Sequence, residues 1–191
     1  MKFKFSKIFL GNNQRGFSLM ELLVTIAILM VVSGLVFFNQ SQFNNSTLIE
    51  NLAYEMSLAI RQAQSFGLQV KGIGADFDNG YGVYFEKDSD EFLIFSDTYP
   101  VTPNFVYDDG YDEIIDRLKM TNKNRIDYLC IDENCLVDTL NISFKRPNPN
   151  AIIKVDDSGT EGSEGSIHII SPKGLEKNIN VNGVGQIYIG S

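Results

Sequence analysis

The chain has 191 residues, enough for one folded core plus a further segment. Its 24 Asp and Glu outnumber its 16 Lys and Arg, for a net charge of −8. That balance speaks against nucleic-acid phosphates as a partner, which call for clustered cations. One histidine and two cysteines are too few for a tetrahedral zinc site.

In chain order, the first segment is basic. Residues 1–16 hold Lys2, Lys4, Lys7 and Arg15 and no acid. From Leu22 to Phe38 there is no charged residue at all, and Glu21 is the one ionisable side chain in the 22 residues from Phe17. At about 1.5 Å per residue such a helix reaches roughly 33 Å, against a bilayer core of about 30 Å. A cleaved secretory signal has a shorter apolar core, about 7–15 residues, followed by a small-residue cleavage site. Here the apolar run continues into Phe37-Phe38-Asn39-Gln40, so a retained membrane helix is expected. The next charge is Glu50, so the positive flank lies only on the N-terminal side. The positive-inside rule then puts residues 1–16 in the cytoplasm and the rest of the chain outside. Two roles are open to Glu21 on physical grounds: a functional carboxylate inside the membrane, or a group at the headgroup boundary, one turn into the helix.

The residues around it are Arg15-Gly16-Phe17-Ser18-Leu19-Met20-Glu21-Leu22. A base, Gly, Phe, Ser or Thr, Leu, any residue, Glu and then an apolar run resembles the type III signal of type IV pilins and the pseudopilins of type II secretion. The resemblance implies a membrane peptidase cutting between Gly16 and Phe17 and methylating the new amino group of Phe17. It also implies that Glu21 pairs with the N-terminal amine of a neighbouring subunit. The physical chemistry agrees, because an α-amine with a pKa of about 7.7–8.0 is cationic at neutral pH, and opposite charges attract far more strongly away from water. The partners implied are copies of the chain, other pilins or pseudopilins, the prepilin peptidase, an assembly platform and the inner membrane.

Removing residues 1–16 leaves 12 bases against 24 acids, a net of −12. One relative in that family takes up DNA through a basic tail, but this chain has no Lys or Arg after Lys177, so DNA uptake is disfavoured.

From Asn39 to Phe66 an amphipathic pattern follows. Leu48, Leu52, Met56, Ile60 and Ala63 recur at helical steps, widened by Ile49, Ala59 and Phe66. One helix of about 50 residues is expected, softened at most at Ser33-Gly34 and ended by Gly67. The expected organisation is a leader at 1–16, a membrane or filament-core half-helix at 17–38, an amphipathic half at 39–66 and a β-rich domain at 67–191. Strands are expected at 68–73, 81–85, 91–96, 126–131, 139–145, 152–155, 166–170, 178–182 and 186–189, separated by Gly, Pro, Asn and Asp. The class is α+β, a long N-terminal helix packed on an antiparallel sheet. Residues 158–165 look like a hairpin loop. Ala63-Gln64-Ser65-Phe66-Gly67-Leu68 followed by strands resembles the H-type minor pseudopilins, with a major pilin as the competing subtype.

Cys130 and Cys135, outside the membrane, are expected to form a short hairpin disulfide. Asp108, Asp109, Asp112 and Glu113 cluster around Gly110, and Asp76, Asp78, Asp88, Asp90 and Glu91 lie elsewhere. The family includes calcium-binding members, but EF-hand spacing is absent, so a solvated acidic loop is favoured over a calcium site. The single His168 sits in a strand-like run, and Gly72-x-Gly74 leads into acidic residues rather than a helix, so neither supports catalysis. The expectation is a structural subunit without enzymatic activity or cofactor. The competing expectations are an adhesin-like surface module and a tethered domain that never polymerises.

Overall fold

The computed structural model describes residues 16–69, 79–98, 103–155 and 160–190. Residues 1–15 of the expected leader, Asp76, Asp78, the Gly72-x-Gly74 pair, Ser158-Gly159 and most of the expected strand 68–73 lie outside them. Contacts divide the chain into two units, Met1–Ser41 and Gln42–Ser191.

The helix α1 (Leu19–Leu68) is a single element of 50 residues. Its first turn closes on Ser18, whose carbonyl accepts the Leu22 N–H at 3.1 Å. It runs through Ser33-Gly34 without a break. Gly67 does not end it, contrary to the sequence expectation. A Cβ on Gly67 would sit 2.6 Å from the carbonyl oxygen of Phe144, so glycine is present for close approach to a strand rather than for a turn. The expected strand at 68–73 is corrected at its start, because Leu68 is still helical.

In the second unit, α1 turns one face to the core. Ile49, Leu52, Ala53, Met56, Ala59, Ile60 and Ala63 are buried, at the three- and four-residue steps of a helical stripe. Leu48, expected to lead that stripe, is exposed, and its neighbour Ile49 takes the inward position. Leu48 lies about 100° around the axis from Ile49 and so falls off the stripe, while Leu52, Met56, Ile60 and Ala63 lie on it as expected.

The β-rich part is antiparallel throughout its pairings and forms two sheets. The strands are β1 (Gly80–Glu86), β2 (Glu91–Asp97), β3 (Glu113–Lys119), β4 (Arg125–Ile131), β5 (Asn134–Val137), β6 (Thr139–Lys145), β7 (Asn148–Lys154), β8 (Glu161–Gly162), β9 (Glu164–Ile170), β10 (Glu176–Asn182) and β11 (Ile187–Gly190). One sheet has the order β3-β2-β1-β6-β7-β8, the other β11-β10-β9-β4-β5. This is the α+β arrangement, with two sheets in place of the one expected. The hairpin loop expected at 158–165 is also revised, since Glu161–Gly162 form β8 and Glu164 opens β9.

One core joins the amphipathic face of α1 to both sheets. Val83, Phe85, Phe92, Ile94, Leu140, Ile142 and Phe144 come from the first sheet. Ile126, Leu129, Ile167, Ile169, Ile179 and Val181 come from the second. Alternation along each strand sets this up, as successive side chains point to opposite faces. The first sheet is buried on its other face too, at Leu93, Phe95, Asn141 and Ser143. Part of the chain between β2 and β3 covers it: Asn141 accepts the Tyr107 N–H at 3.0 Å, and the Ser143 hydroxyl donates to the Phe105 carbonyl at 3.1 Å.

A single amide holds the helix to the start of β7 and to the turn before β11. The Nε2 of Gln64 donates to the carbonyls of Pro149 at 3.1 Å and Gly185 at 3.2 Å. Gly185 has φ +83°, and a Cβ there would run into the Pro149 carbonyl and lie 2.7 Å from that same Nε2. Only glycine fits the turn into β11 and the clamp together.

Candidate functional site

The N-terminal motif is laid out along an uncovered helix. Gly16 and Phe17 precede α1, and a Cβ on Gly16 would meet nothing within 4 Å, so the backbone at the Gly16–Phe17 bond is open on that side. Fifteen large apolar side chains between Phe17 and Phe37 are exposed, Phe17 and Leu19 among the most. Glu21 stands in the first turn of α1, exposed and surrounded by these groups. The positive end of the helix dipole favours a carboxylate there, by about 0.3–1 kcal/mol at an exposed position. Leu19–Phe37 is long and apolar enough to cross a membrane, with a mean hydropathy of 2.5, and none of it is buried inside the protein. A contiguous apolar surface of this size in a monomer marks a membrane or an interface.

Cys130 and Cys135 form a disulfide, as expected from the sequence, with Cα atoms 3.9 Å apart. It ties β4 to β5 across the Asp132-Glu133 turn. Asp132 takes a positive φ of 51°, and its Oδ1 accepts from the Ser163 N–H at 2.9 Å, the Ser163 hydroxyl at 2.7 Å and the Glu164 N–H at 3.0 Å. The hydrogen bonds from Ser163 and Glu164 hold its carboxyl below the usual range.

Three of the four clustered acids accept hydrogen bonds from nearby groups, and Asp112 alone accepts from main-chain N–H. Asp112 accepts the Thr98 N–H at 2.9 Å and the Asp108 N–H at 2.8 Å. Asp108 accepts from the Asn104 amide at 2.6 Å, and Asp109 from the Tyr107 hydroxyl at 3.3 Å. Glu113 is not in the loop but begins β3. Burial is the largest influence on Asp112 and, with Asp97 and Asp108 nearby, it outweighs the two N–H donors and pushes the carboxyl up to about 6. Asp88, Asp90 and Glu91 face Arg125, Lys119 and Arg117 in surface ion pairs. Among the described residues, no three His, Cys, Asp or Glu side chains come together as a metal-holding group. His168 stacks on Tyr128 with ring centroids 4.0 Å apart, and burial lowers its pKa against the pull of Glu176 and Asp127.

A groove that the sequence reading missed runs between α1 and β11. Tyr54, Ser57, Leu58 and Arg61 line one side and Ile187, Tyr188 and Ile189 the other, around a volume of about 570 Å³. Its only sequence signal is an apolar pair at i, i+4, Tyr54 and Leu58, placed off the buried stripe.

The exposed span with its single acid defines a membrane-anchored chain whose N-terminal helix must be covered from outside. Residues 11–37 match the family model described as the prokaryotic N-terminal methylation motif, the signature of type IV pilins and pseudopilins. The match covers the N-terminal segment alone, and the motif there is not one of an enzyme family. No curated protein and no solved structure matches the chain.

Proposed function

We propose that this chain is a structural subunit of a type IV pilus or a type II secretion pseudopilus. The observation that carries the proposal is the methylation motif opening directly onto an apolar helix with one acid, Glu21. The precursor is anchored in the inner membrane with residues 1–16 in the cytoplasm, cut after Gly16 and methylated on Phe17. An assembly platform then draws it into a filament outside the membrane. Apolar helix surfaces pack together there, and Glu21 pairs with the Phe17 amine of an adjacent subunit. A lone carboxylate in that environment is costly, and an opposite charge is the cheapest way to compensate it. The pair therefore fixes register between subunits rather than adding much net stability. No catalytic step or cofactor enters this role. Within the family, an H-type minor subunit remains our assignment, on residues 63–68 and the strands after them.

Mass spectrometry of the protein from cells tests the first half, with methyl-Phe17 expected as residue one; a mature chain beginning at Met1 rejects it. Glu21→Ala tests the second. Cleavage should persist while recovery in sheared filaments falls at least about tenfold, the cost of leaving a cation unpaired in an apolar setting. Normal incorporation of that variant would remove the register role.

A further inference from the structure

We propose that the groove between α1 and β11 receives the β4–β5 hairpin of a second copy of this chain. The inference rests on the polymer reading above and names a contact between the globular parts of two subunits.

Three features of the groove point to a protein occupant. Leu58 is 64% exposed and Tyr54 57%, on the face of α1 turned away from the core. Arg61, on the same side of the groove, has no carboxylate partner among the described residues, although the chain carries an excess of acids. Third, β11 is an edge strand paired only with β10. The Asn182 N–H donates to the Gln186 carbonyl, so pairs 180/188 and 178/190 also lie on the hydrogen-bonded positions of the ladder. Antiparallel strands alternate, so the main-chain groups of Ile187 and Ile189 point away from β10, at the free edge.

The complementary feature is at the other edge of the same sheet. In the β4–β5 hairpin Leu136 is 90% exposed, the highest exposure of any large apolar side chain in the described chain. Three residues earlier, in the turn, Glu133 is exposed and unpaired among the described residues. The tip does not wave freely. The Cys130–Cys135 disulfide closes its base, and Asp132 fastens its turn to Ser163 and Glu164. A braced hairpin presenting a leucine on β5, one residue past the disulfide, and a carboxylate in its turn is a match in kind for an apolar groove holding a lone guanidinium. Knob and groove sit on opposite edges, β5 and β11, so the contact is heterologous and each copy keeps a free knob and a free groove. Such a contact propagates instead of closing on a dimer.

The test uses the full-length chain in assembling cells. A photo-crosslinking p-benzoyl-phenylalanine in place of Leu136 avoids adding a thiol next to the disulfide. The expected adduct joins two copies and maps to residues 54–61 or 187–189. Arg61→Glu and Glu133→Arg should each lower the yield of sheared filaments about fivefold or more, and the double reversal should restore it to within about twofold. Arg61→Ala and Glu133→Ala, exposed truncations with little reason to misfold, should show weaker losses of the same sign. Processed, polymerising chain with no such adduct, an adduct to a different subunit, or a double reversal no better than the singles overturns the proposal alone. A chain that keeps residues 1–16 and yields no polymer overturns the polymer reading, and this contact with it.

Discussion

The same helix holds two regions with opposite needs. Between residues 49 and 63, α1 turns an apolar stripe inward, and Met56, Ile60 and Ala63 have no exposure at all. Between residues 19 and 37 it is apolar all round except at Glu21 and a few small polar residues, and its large side chains are exposed. Backbone hydrogen bonding is equivalent in the two, so helicity says nothing about what covers a helix. The distribution of polar residues around the axis does. A one-sided stripe finds its partner within the chain, whereas an all-round apolar surface must find it in lipid or in other chains.

The largest expected effect separates the two regions directly. Ile60→Ala should destabilise the unit Gln42–Ser191 by about 2–5 kcal/mol, because the cavity forms in a close-packed core. Leu29→Ala should leave the same unfolding transition within about 0.5 kcal/mol of wild type. Denaturant unfolding of detergent-extracted protein, followed by circular dichroism, measures both; equal losses would show that the contrast is false. Next in size, Cys130→Ser with Cys135→Ser should cost about 2 kcal/mol, the chain-entropy value for so short a closed loop, again without touching the N-terminal span.

The smallest effect is a pH dependence confined to the globular region. Asp112 has a folded pKa raised to about 6 from 3.8, so the folded state holds its proton more tightly than the unfolded state. The stability this contributes is present at low pH and is lost as pH rises from about 4 through 6. Thermal melts should therefore show the wild-type Tm falling relative to that of Asp112→Asn across this interval. A difference that stays constant, or grows in favour of wild type, contradicts the assigned burial of this carboxyl.

Much of this was legible in the sequence. The motif from Arg15 to Leu22 is local chemistry, the apolar run is a matter of composition, and the helical stripe is a periodic pattern set by several residues, so misplacing its first member, Leu48 for Ile49, left Leu52, Met56, Ile60 and Ala63 in register. Strand β6 was expected at its observed bounds because it alternates strongly. β3 was not expected, since Glu113, Asp116, Arg117 and Lys119 give it the charged look of a loop. Those charges belong to an edge strand, where they discourage further pairing. β5 and β8 are four and two residues long, too short for a period to register. The groove was invisible for a different reason: Tyr54 and Tyr188 are brought together only by the fold, and nothing in either neighbourhood announces the other. Nor could spacing alone show that Asp112 would accept two main-chain N–H groups while Asp108 and Asp109 take side-chain donors.

The Gln64 clamp has a mechanical consequence. Its side-chain amide offers two hydrogens and spends both, on carbonyls 85 and 121 residues further along the chain. A displacement of the helix therefore strains the start of β7 and the turn into β11 together, one belonging to each sheet, alongside the apolar stripe packed between them.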